Sequence, residues 1–133
     1  MRLFFLMLCA LTAGASPAAT TQAWAQSAEA GERVFAQCRA CHQVGEGARN
    51  LVGPTLNGMF GRKTGSVEGY SYTEANKNAN ITWDEATFRD YIIDPKGKIP
   101  GTKMAFAGLK NPQQVTDLIA YLKQFDATGK KTQ

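Results

Sequence analysis

The chain has 133 residues, three cysteines, a single histidine and a formal net charge of +4. This length is enough for about one domain, and so modest a charge gives little reason to expect a nucleic-acid partner. No internal repeat, low-complexity run or second domain is visible along the chain.

Residues 1–25 are typical of a secretory signal peptide. A basic second residue is followed by an apolar run over residues 3–11, and Ala23-Trp24-Ala25 is a small-x-small cleavage site. The apolar run is too short to span a bilayer. The segment therefore predicts export to the periplasm without stable insertion in the membrane.

We expect cleavage after Ala25, with a cut near Ala15 as the alternative. The mature domain is then residues 26–133, and its net charge is +4 less the charge of Arg2, the only charged residue of the leader. In a domain this small, a covalently held apolar cofactor would supply part of the core.

A first helix is predicted after Ser27, which can act as its N-cap. Val34 and Phe35 give this helix an apolar side, and we expect it to continue into Cys38. The motif that follows would therefore lie at the C-terminal end of a helix.

Residues 38–42 read Cys-Arg-Ala-Cys-His, the C-x-x-C-H signature of covalent haem attachment. Cysteines three apart on one helical turn can form thioethers with the two vinyl groups of one porphyrin. The histidine that comes next, four residues after the first cysteine, points to the iron from the same side. The motif predicts Cys38 and Cys41 as attachment residues and His42 as the proximal ligand.

Zinc, a disulfide or a thioredoxin-like redox motif are the competing interpretations of the paired cysteines. A zinc site needs further Cys or His ligands, but His42 is the only histidine and the third cysteine, Cys9, lies in the leader. A thioredoxin-like motif belongs near a βαβ unit, and no strand pattern flanks this one. A thiol–disulfide oxidoreductase, without colour and with oxidisable thiols, is the weaker alternative.

Residues 43–69 show almost no helical or strand periodicity and are rich in glycine. So long an irregular stretch is unusual in a small domain, unless the chain wraps a disc-shaped ligand. Its apolar side chains would then be buried on that ligand; they include Leu51, Leu56, Met59 and Phe60.

Three further helices are predicted beyond this stretch. A short one covers Thr73–Asn78. Another opens at a capping box in Thr82–Glu85 and stops before Pro95, because the residue preceding a proline avoids helix. After an irregular segment over residues 96–110, the last helix begins at Asn111. It carries apolar residues at i, i+3, i+4 and i+7, namely Val115, Leu118, Ile119 and Leu122.

The residue opposite His42 on the iron decides the function. Because the chain has only one histidine, a second histidine from the same chain cannot be the other axial ligand. The candidates for that position are Met59, Met104 and a lysine, or it has no protein ligand. A thioether raises the reduction potential. Met104 lies far from His42 on an irregular segment and could approach the opposite face, whereas Met59 is interpreted as a core residue.

The sequence is similar to class I cytochromes c, close to the mitochondrial type and its bacterial periplasmic relatives, over nearly all of residues 26–133. The resemblance is carried by Cys38–His42, Gly53-Pro54, Gly61–Gly65, Tyr70–Thr73, Ala75–Asn78, Ile81–Trp83, Ile99–Met104, Phe106–Gly108 and Asp117–Lys123.

The resemblance implies an all-α fold, the small cytochrome c fold, in which helices and long loops wrap one covalent haem c. It implies that Cys38 and Cys41 hold the haem and that His42 and Met104 bind the iron. The Pro54 carbonyl would accept a hydrogen bond from the free ring nitrogen of His42.

Further residues are implied to surround the haem. Arg62, Tyr72 and Trp83 resemble the propionate-binding group, Asn76, Tyr91 and Thr102 a buried polar network near the methionine, and Phe106 the aromatic residue at the haem edge.

The function implied is one-electron transfer between ferric and ferrous states, because an iron with both axial positions filled has no place for a substrate. The chain would carry electrons from a quinol–cytochrome c reductase to a terminal oxidase, a photosynthetic reaction centre or a periplasmic reductase. The rival is a five-coordinate haem protein, a weak peroxidase or gas sensor, which would require Met104 to be absent from the iron.

The expected partners are larger redox complexes with acidic patches. The chain itself is expected to be a monomer, and no nucleic-acid partner is expected. The predicted docking surface consists of Lys63, Lys96, Lys98, Lys103 and Lys110, with Lys77 and Arg39 nearby.

Overall fold

A computed structural model describes residues 26–132, so the predicted signal peptide lies outside the described residues. Five helices follow one another: α1 (Ala28–Phe35), α2 (Glu74–Asn78), α3 (Glu85–Ile93), α4 (Pro95–Lys98) and α5 (Pro112–Leu122). Long loops connect them, and pairing between extended segments is limited to two isolated bridges in this part of the chain. The predicted all-α class is confirmed. None of the described helices has the length and apolar character needed to cross a membrane.

The first and last helices cross in close contact. Ser27 caps α1 as predicted, its hydroxyl accepting a hydrogen bond from the backbone of Ala30 at 3.1 Å. A Cβ at Gly31 would overlap the Asp117 carbonyl and lie 2.7 Å from the Cβ of Tyr121. Only glycine therefore allows the two helices to approach so closely.

The haem motif does not continue α1, contrary to our expectation, because α1 ends at Phe35. The backbone tightens there, and the amide of Cys38 donates to the Phe35 carbonyl at 2.8 Å, an i+3 spacing. A separate turn then forms, in which the amide of His42 donates to the Cys38 carbonyl at 2.8 Å. The five residues of the motif thus make a turn of their own.

Two caps around α3 and α4 differ from the prediction. The capping box lies at Asp84 and Thr87 rather than across Thr82–Glu85, since aspartate caps at least as well as threonine and the Thr87 hydroxyl reaches back to the Asp84 amide. The segment predicted as irregular begins with the short helix α4, capped by Asp94. Pro95 therefore ends α3 and also starts α4, where its missing N–H costs nothing.

After α5, residues 124–132 turn back on themselves and form what we call the C-terminal hook. Phe125 pairs with Lys131 in an antiparallel bridge, and the Asp126 carboxylate accepts from the backbone amide of Lys130 at 3.0 Å. The hook packs on the glycine-rich loop, where a Cβ on Gly58 would lie 2.8 Å from the Cα of Ala127. It therefore covers the loop that follows the haem motif.

Candidate functional site

A cavity of about 590 Å³ lies between α3, α5 and the long loops. Every residue of the predicted site lines it: Cys38, Cys41, His42, Pro54, Arg62, Tyr72, Asn76, Trp83, Tyr91, Thr102, Met104 and Phe106. The fold thus gathers side chains from the haem motif, both irregular segments and the helices α1, α2, α3 and α5 around one space.

The two cysteines of the motif line the cavity, and no disulfide joins them. Burial raises the pKa of the Cys38 thiol to about 11, and the neighbouring Cys41 adds to the shift. A thiol–disulfide oxidoreductase needs the opposite, because its attacking group is a thiolate with a lowered pKa. The environment of Cys38 therefore disfavours that alternative.

His42 is held in one orientation and one tautomer. Its Nδ1 lies 2.7 Å from the Pro54 carbonyl oxygen, and a carbonyl can only accept, so Nδ1 carries the proton and Nε2 keeps its lone pair. Burial lowers the pKa of His42, with the bond to Pro54 opposing the shift. The result is a neutral imidazole, which is the form that binds metals.

The ring of His42 packs directly against the backbone of Gly53. A Cβ at this buried glycine would lie 2.7 Å from the Nδ1 of His42, and the Gly53 amide donates to the Cys41 carbonyl at 2.8 Å. Its φ is not positive, so the position requires glycine for space rather than for backbone freedom.

The thioether of Met104 reaches the cavity from the loop after α4. The Tyr91 hydroxyl of α3 donates to the Met104 sulfur at 3.0 Å, and the Met104 amide donates to the Thr102 hydroxyl at 3.3 Å. Burial raises the pKa of Tyr91 to about 12, which keeps it a donor at neutral pH. A thioether has two lone pairs, and this arrangement engages one of them.

The side chain of Arg62 is tied to the loop that carries it. It donates to the Asn57 carbonyl at 2.8 Å and to the Thr55 carbonyl at 3.1 Å. Burial lowers its pKa, while Tyr72 opposes the shift. Arg62 thus braces its own loop, and its propionate-binding role stays a prediction.

The remaining predicted residues take up positions around the same cavity. The Tyr72 hydroxyl accepts from the Val67 amide at 3.4 Å, and the Asn76 amide oxygen accepts from a threonine hydroxyl at 2.9 Å. The ring of Trp83 lies edge-on to Tyr91 with centroids 4.8 Å apart, and Phe106 is half-buried on the cavity wall.

Tyr70 has a structural role that the sequence did not predict. Its hydroxyl donates to the Val52 carbonyl at 2.5 Å, and the Lys103 amine lies 4.5 Å from the centre of its ring. Lys103 also donates to the Ser71 carbonyl. One phenol therefore links the loop after the haem motif to the residue before Met104. The sequence signals were the aromatic pair Tyr70 and Tyr72 just after the glycine-rich stretch and the place of Tyr70–Thr73 in the resemblance.

The lysines of the predicted docking surface differ in their contacts. Lys98 pairs with the Asp90 carboxylate, while Lys110 donates to the Ile93 carbonyl. Lys63 lies on the rim of the cavity and Lys96 is exposed on α4.

This set of residues fits a covalently attached haem. Two thiols, a neutral imidazole with a free nitrogen lone pair and a thioether converge on one cavity, and a soft sulfur with a nitrogen is a ligand pair suited to haem iron. A volume of about 590 Å³ falls in the usual range for cofactor pockets.

Comparison with known proteins identifies the family to which the chain belongs. The cytochrome c family model matches residues 28–126. Cytochrome c2 of Blastochloris viridis is 57% identical over 131 residues, which cover 98% of this chain and 99% of the relative. Cytochrome c-550 of Bradyrhizobium diazoefficiens is 60% identical over 103 residues, 77% of this chain and 76% of the relative.

The solved structure of cytochrome cH from Methylobacterium extorquens superposes with a TM-score of 0.69 at 47% identity, covering 74% of this chain and 98% of the other. The resemblance, the fold and the cofactor expected from the sequence are thereby confirmed. The chain belongs to the cytochrome c family and carries one covalent haem c.

Proposed function

We propose that this chain is a periplasmic one-electron carrier, exported with cleavage after Ala25, in which His42 and Met104 are the axial ligands of the haem iron. The observation that carries the proposal is that both side chains line one cavity with the attachment thiols. Its bacterial relatives, a cytochrome c2 and a cytochrome c-550, support the role of an electron carrier rather than an enzyme.

The chain's own contribution is to hold both ligands still. When bound, the haem supplies the redox couple. Pro54 fixes the ring of His42 through Nδ1, and the Tyr91 hydroxyl fixes the Met104 sulfur. Two ligands that the chain itself holds in place need little rearrangement when the iron changes oxidation state, as a carrier requires.

An optical spectrum of the exported holoprotein tests the ligands. We expect a low-spin reduced spectrum and, in the oxidised protein, the weak near-red band of a sulfur–iron bond. Met104→Ala should abolish that band and lower the reduction potential, since a thioether favours the ferrous state.

Met59→Leu is the matched control, because Met59 is buried on the same cavity and leucine conserves its volume. It should keep the band. A native spectrum that is high-spin and shifts readily with carbon monoxide would overturn the proposal in favour of a sensor or peroxidase.

The proposed partners are larger redox complexes whose acidic patches meet the lysines around the cavity. Lys96 and Lys98 are both exposed, and Lys98 pairs with Asp90. Either neutralisation removes one positive charge, and Lys98→Gln also leaves the Asp90 carboxylate without its partner, so both should slow association with an acidic patch.

Stopped-flow electron transfer to an acidic redox partner checks this expectation. Lys96→Gln and Lys98→Gln should each lower the bimolecular rate constant about twofold at low salt. High salt should slow the wild-type reaction and bring its rate constant close to those of the variants. A flat or rising salt dependence in the wild type would contradict the basic docking surface.

A further inference from the structure

The Asn57-Gly58 pair lies where the C-terminal hook meets the loop after the haem motif. Asparagine followed by glycine is the dipeptide most prone to deamidation, because glycine leaves its amide nitrogen open to attack on the asparagine side chain. In that reaction the Gly58 nitrogen loses its proton and bonds to the Asn57 Cγ, and ammonia leaves. Water then opens the cyclic imide to aspartate or isoaspartate.

The side-chain amide of Asn57 and the backbone amide of Gly58, which must approach each other in this reaction, are both held by hydrogen bonds in the structure. The Asn57 Oδ1 accepts from the Gly45 amide at 2.8 Å, and its Nδ2 donates to the Gly45 carbonyl at 2.9 Å. The Gly58 amide donates to the Phe125 carbonyl at 3.2 Å. The nucleophile and the leaving group are therefore both engaged in hydrogen bonds.

The peptide plane between the two residues is also fixed. Arg62 donates to the Asn57 carbonyl at 2.8 Å, and the Asn57 residue is only 7% exposed to solvent. Rotation of the Asn57 backbone and side chain towards the Gly58 nitrogen would break these bonds inside a packed region, which costs far more than in an unfolded peptide.

The hook supplies the part of this enclosure that can open. It provides the Phe125 carbonyl, and its Gly129 packs so closely that a Cβ there would lie 2.7 Å from the Asn57 Nδ2. The hook is mostly exposed on either side of its buried residues Phe125 and Gly129, and segments with few buried contacts open most readily. We propose that Asn57-Gly58 is a latent deamidation site that the C-terminal hook keeps closed.

The modification would reinforce itself once it occurred. An aspartate at position 57 has no N–H to donate to the Gly45 carbonyl, so it loses one of the bonds that hold the loop. Isoaspartate would also displace the carbonyl that Arg62 binds. An opening of the hook that is reversible at first is thereby made permanent.

Peptide mapping of aged holoprotein tests the proposal, with acid and isoaspartate measured at position 57 after incubation in mildly alkaline buffer. Gly129→Ala should deamidate about tenfold faster than the wild type, because it combines a steric overlap with a positive φ of 85°. Gly69→Ala is the matched control, since its φ is 70°, the atom nearest to its added Cβ lies 3.9 Å away on Asn50, and it is outside the turn that holds Asn57. It should deamidate at the wild-type rate.

Asp126→Ala provides a milder opening in case Gly129→Ala does not fold. The Asp126 carboxylate accepts from the amides of Thr128 and Lys130 and so shapes the turn of the hook. We expect a rate between those of the wild type and Gly129→Ala. Equal rates in the folded variants and the wild type, or a wild-type rate matching that of the denatured chain, would overturn the proposal.

Discussion

The crossing of α1 and α5 and the loops around the cavity are built in different ways. At the crossing, one helix backbone lies against the other because Gly31 has no side chain, and the rings of Phe35 and Tyr121 pack beside it with centroids 5.4 Å apart. The loops have close glycine contacts of their own, as at Gly53 and Gly58, but they have no long helix face to pack. They are held by side chains, such as that of Arg62, that donate hydrogen bonds to backbone carbonyls, and by the haem that the cavity would enclose.

This difference separates two sources of stability. Ordinary helix packing needs nothing beyond the chain itself, whereas the loops need the haem as a surface on which to bury their apolar side chains. The haem motif lies between the two regions, on the single turn after α1. Attachment of the haem therefore joins the loops to the helical part of the molecule.

Removal of the haem should have the largest effect. Without it, the apolar side chains that line a cavity of about 590 Å³ would be left facing water, in a domain whose whole free energy of unfolding is only about 5–15 kcal/mol. The Cys38→Ala/Cys41→Ala chain, produced without haem, should show no cooperative unfolding by circular dichroism. Retained hydrogen-exchange protection in the loops would contradict this.

A Cβ at the helix crossing should have the next largest effect. Gly31→Ala places a methyl group on the Asp117 carbonyl, and we expect the free energy of unfolding of the holoprotein to fall by about 3 kcal/mol in guanidinium titrations. Gly61→Ala meets nothing within 4 Å and is strained only by its φ of 92°, so about 1 kcal/mol is expected. Equal losses would mean that packing at the crossing is not special.

The charge on a single cap should have the smallest effect. Hydrogen bonds from the Thr87 amide and hydroxyl hold the pKa of Asp84 below its ordinary value. The charged carboxylate of Asp84 therefore stabilises the fold when the pH is above the ordinary pKa of aspartate. This stabilisation is lost as the pH falls through the lowered pKa of the folded state. Asp84→Asn keeps a capping side chain and should be slightly less stable than the wild type at neutral pH, with the difference vanishing in acid. A difference independent of pH would exclude this explanation.

Local signals in the sequence predicted the parts of the fold that depend on neighbouring residues. The Ser27 cap and the start of α5 at Asn111-Pro112 need only a few adjacent side chains. The end of α1 and the double role of Pro95 were not predicted, because each depends on which of two local patterns the surrounding structure favours.

The candidate site shows the same limit. The motif Cys38–His42 could be recognised from spacing alone, and the resemblance supplied the other predicted site residues, which also line the cavity. Contacts between segments distant in sequence could not be predicted from it. Examples are the hydrogen bond from Tyr70 to the Val52 carbonyl and the contact of the hook with Gly45.

The contact between Gly53 and the His42 ring has a consequence for how this chain can vary. Since a Cβ at position 53 would lie 2.7 Å from the Nδ1 of His42, no other residue type leaves the imidazole where it is. A saturation scan selected on haem incorporation should find Gly53 as intolerant as His42 itself, although glycine has no side chain with which to bind anything. Exposed glycines with open space around them, such as Gly61, should accept many replacements in the same scan.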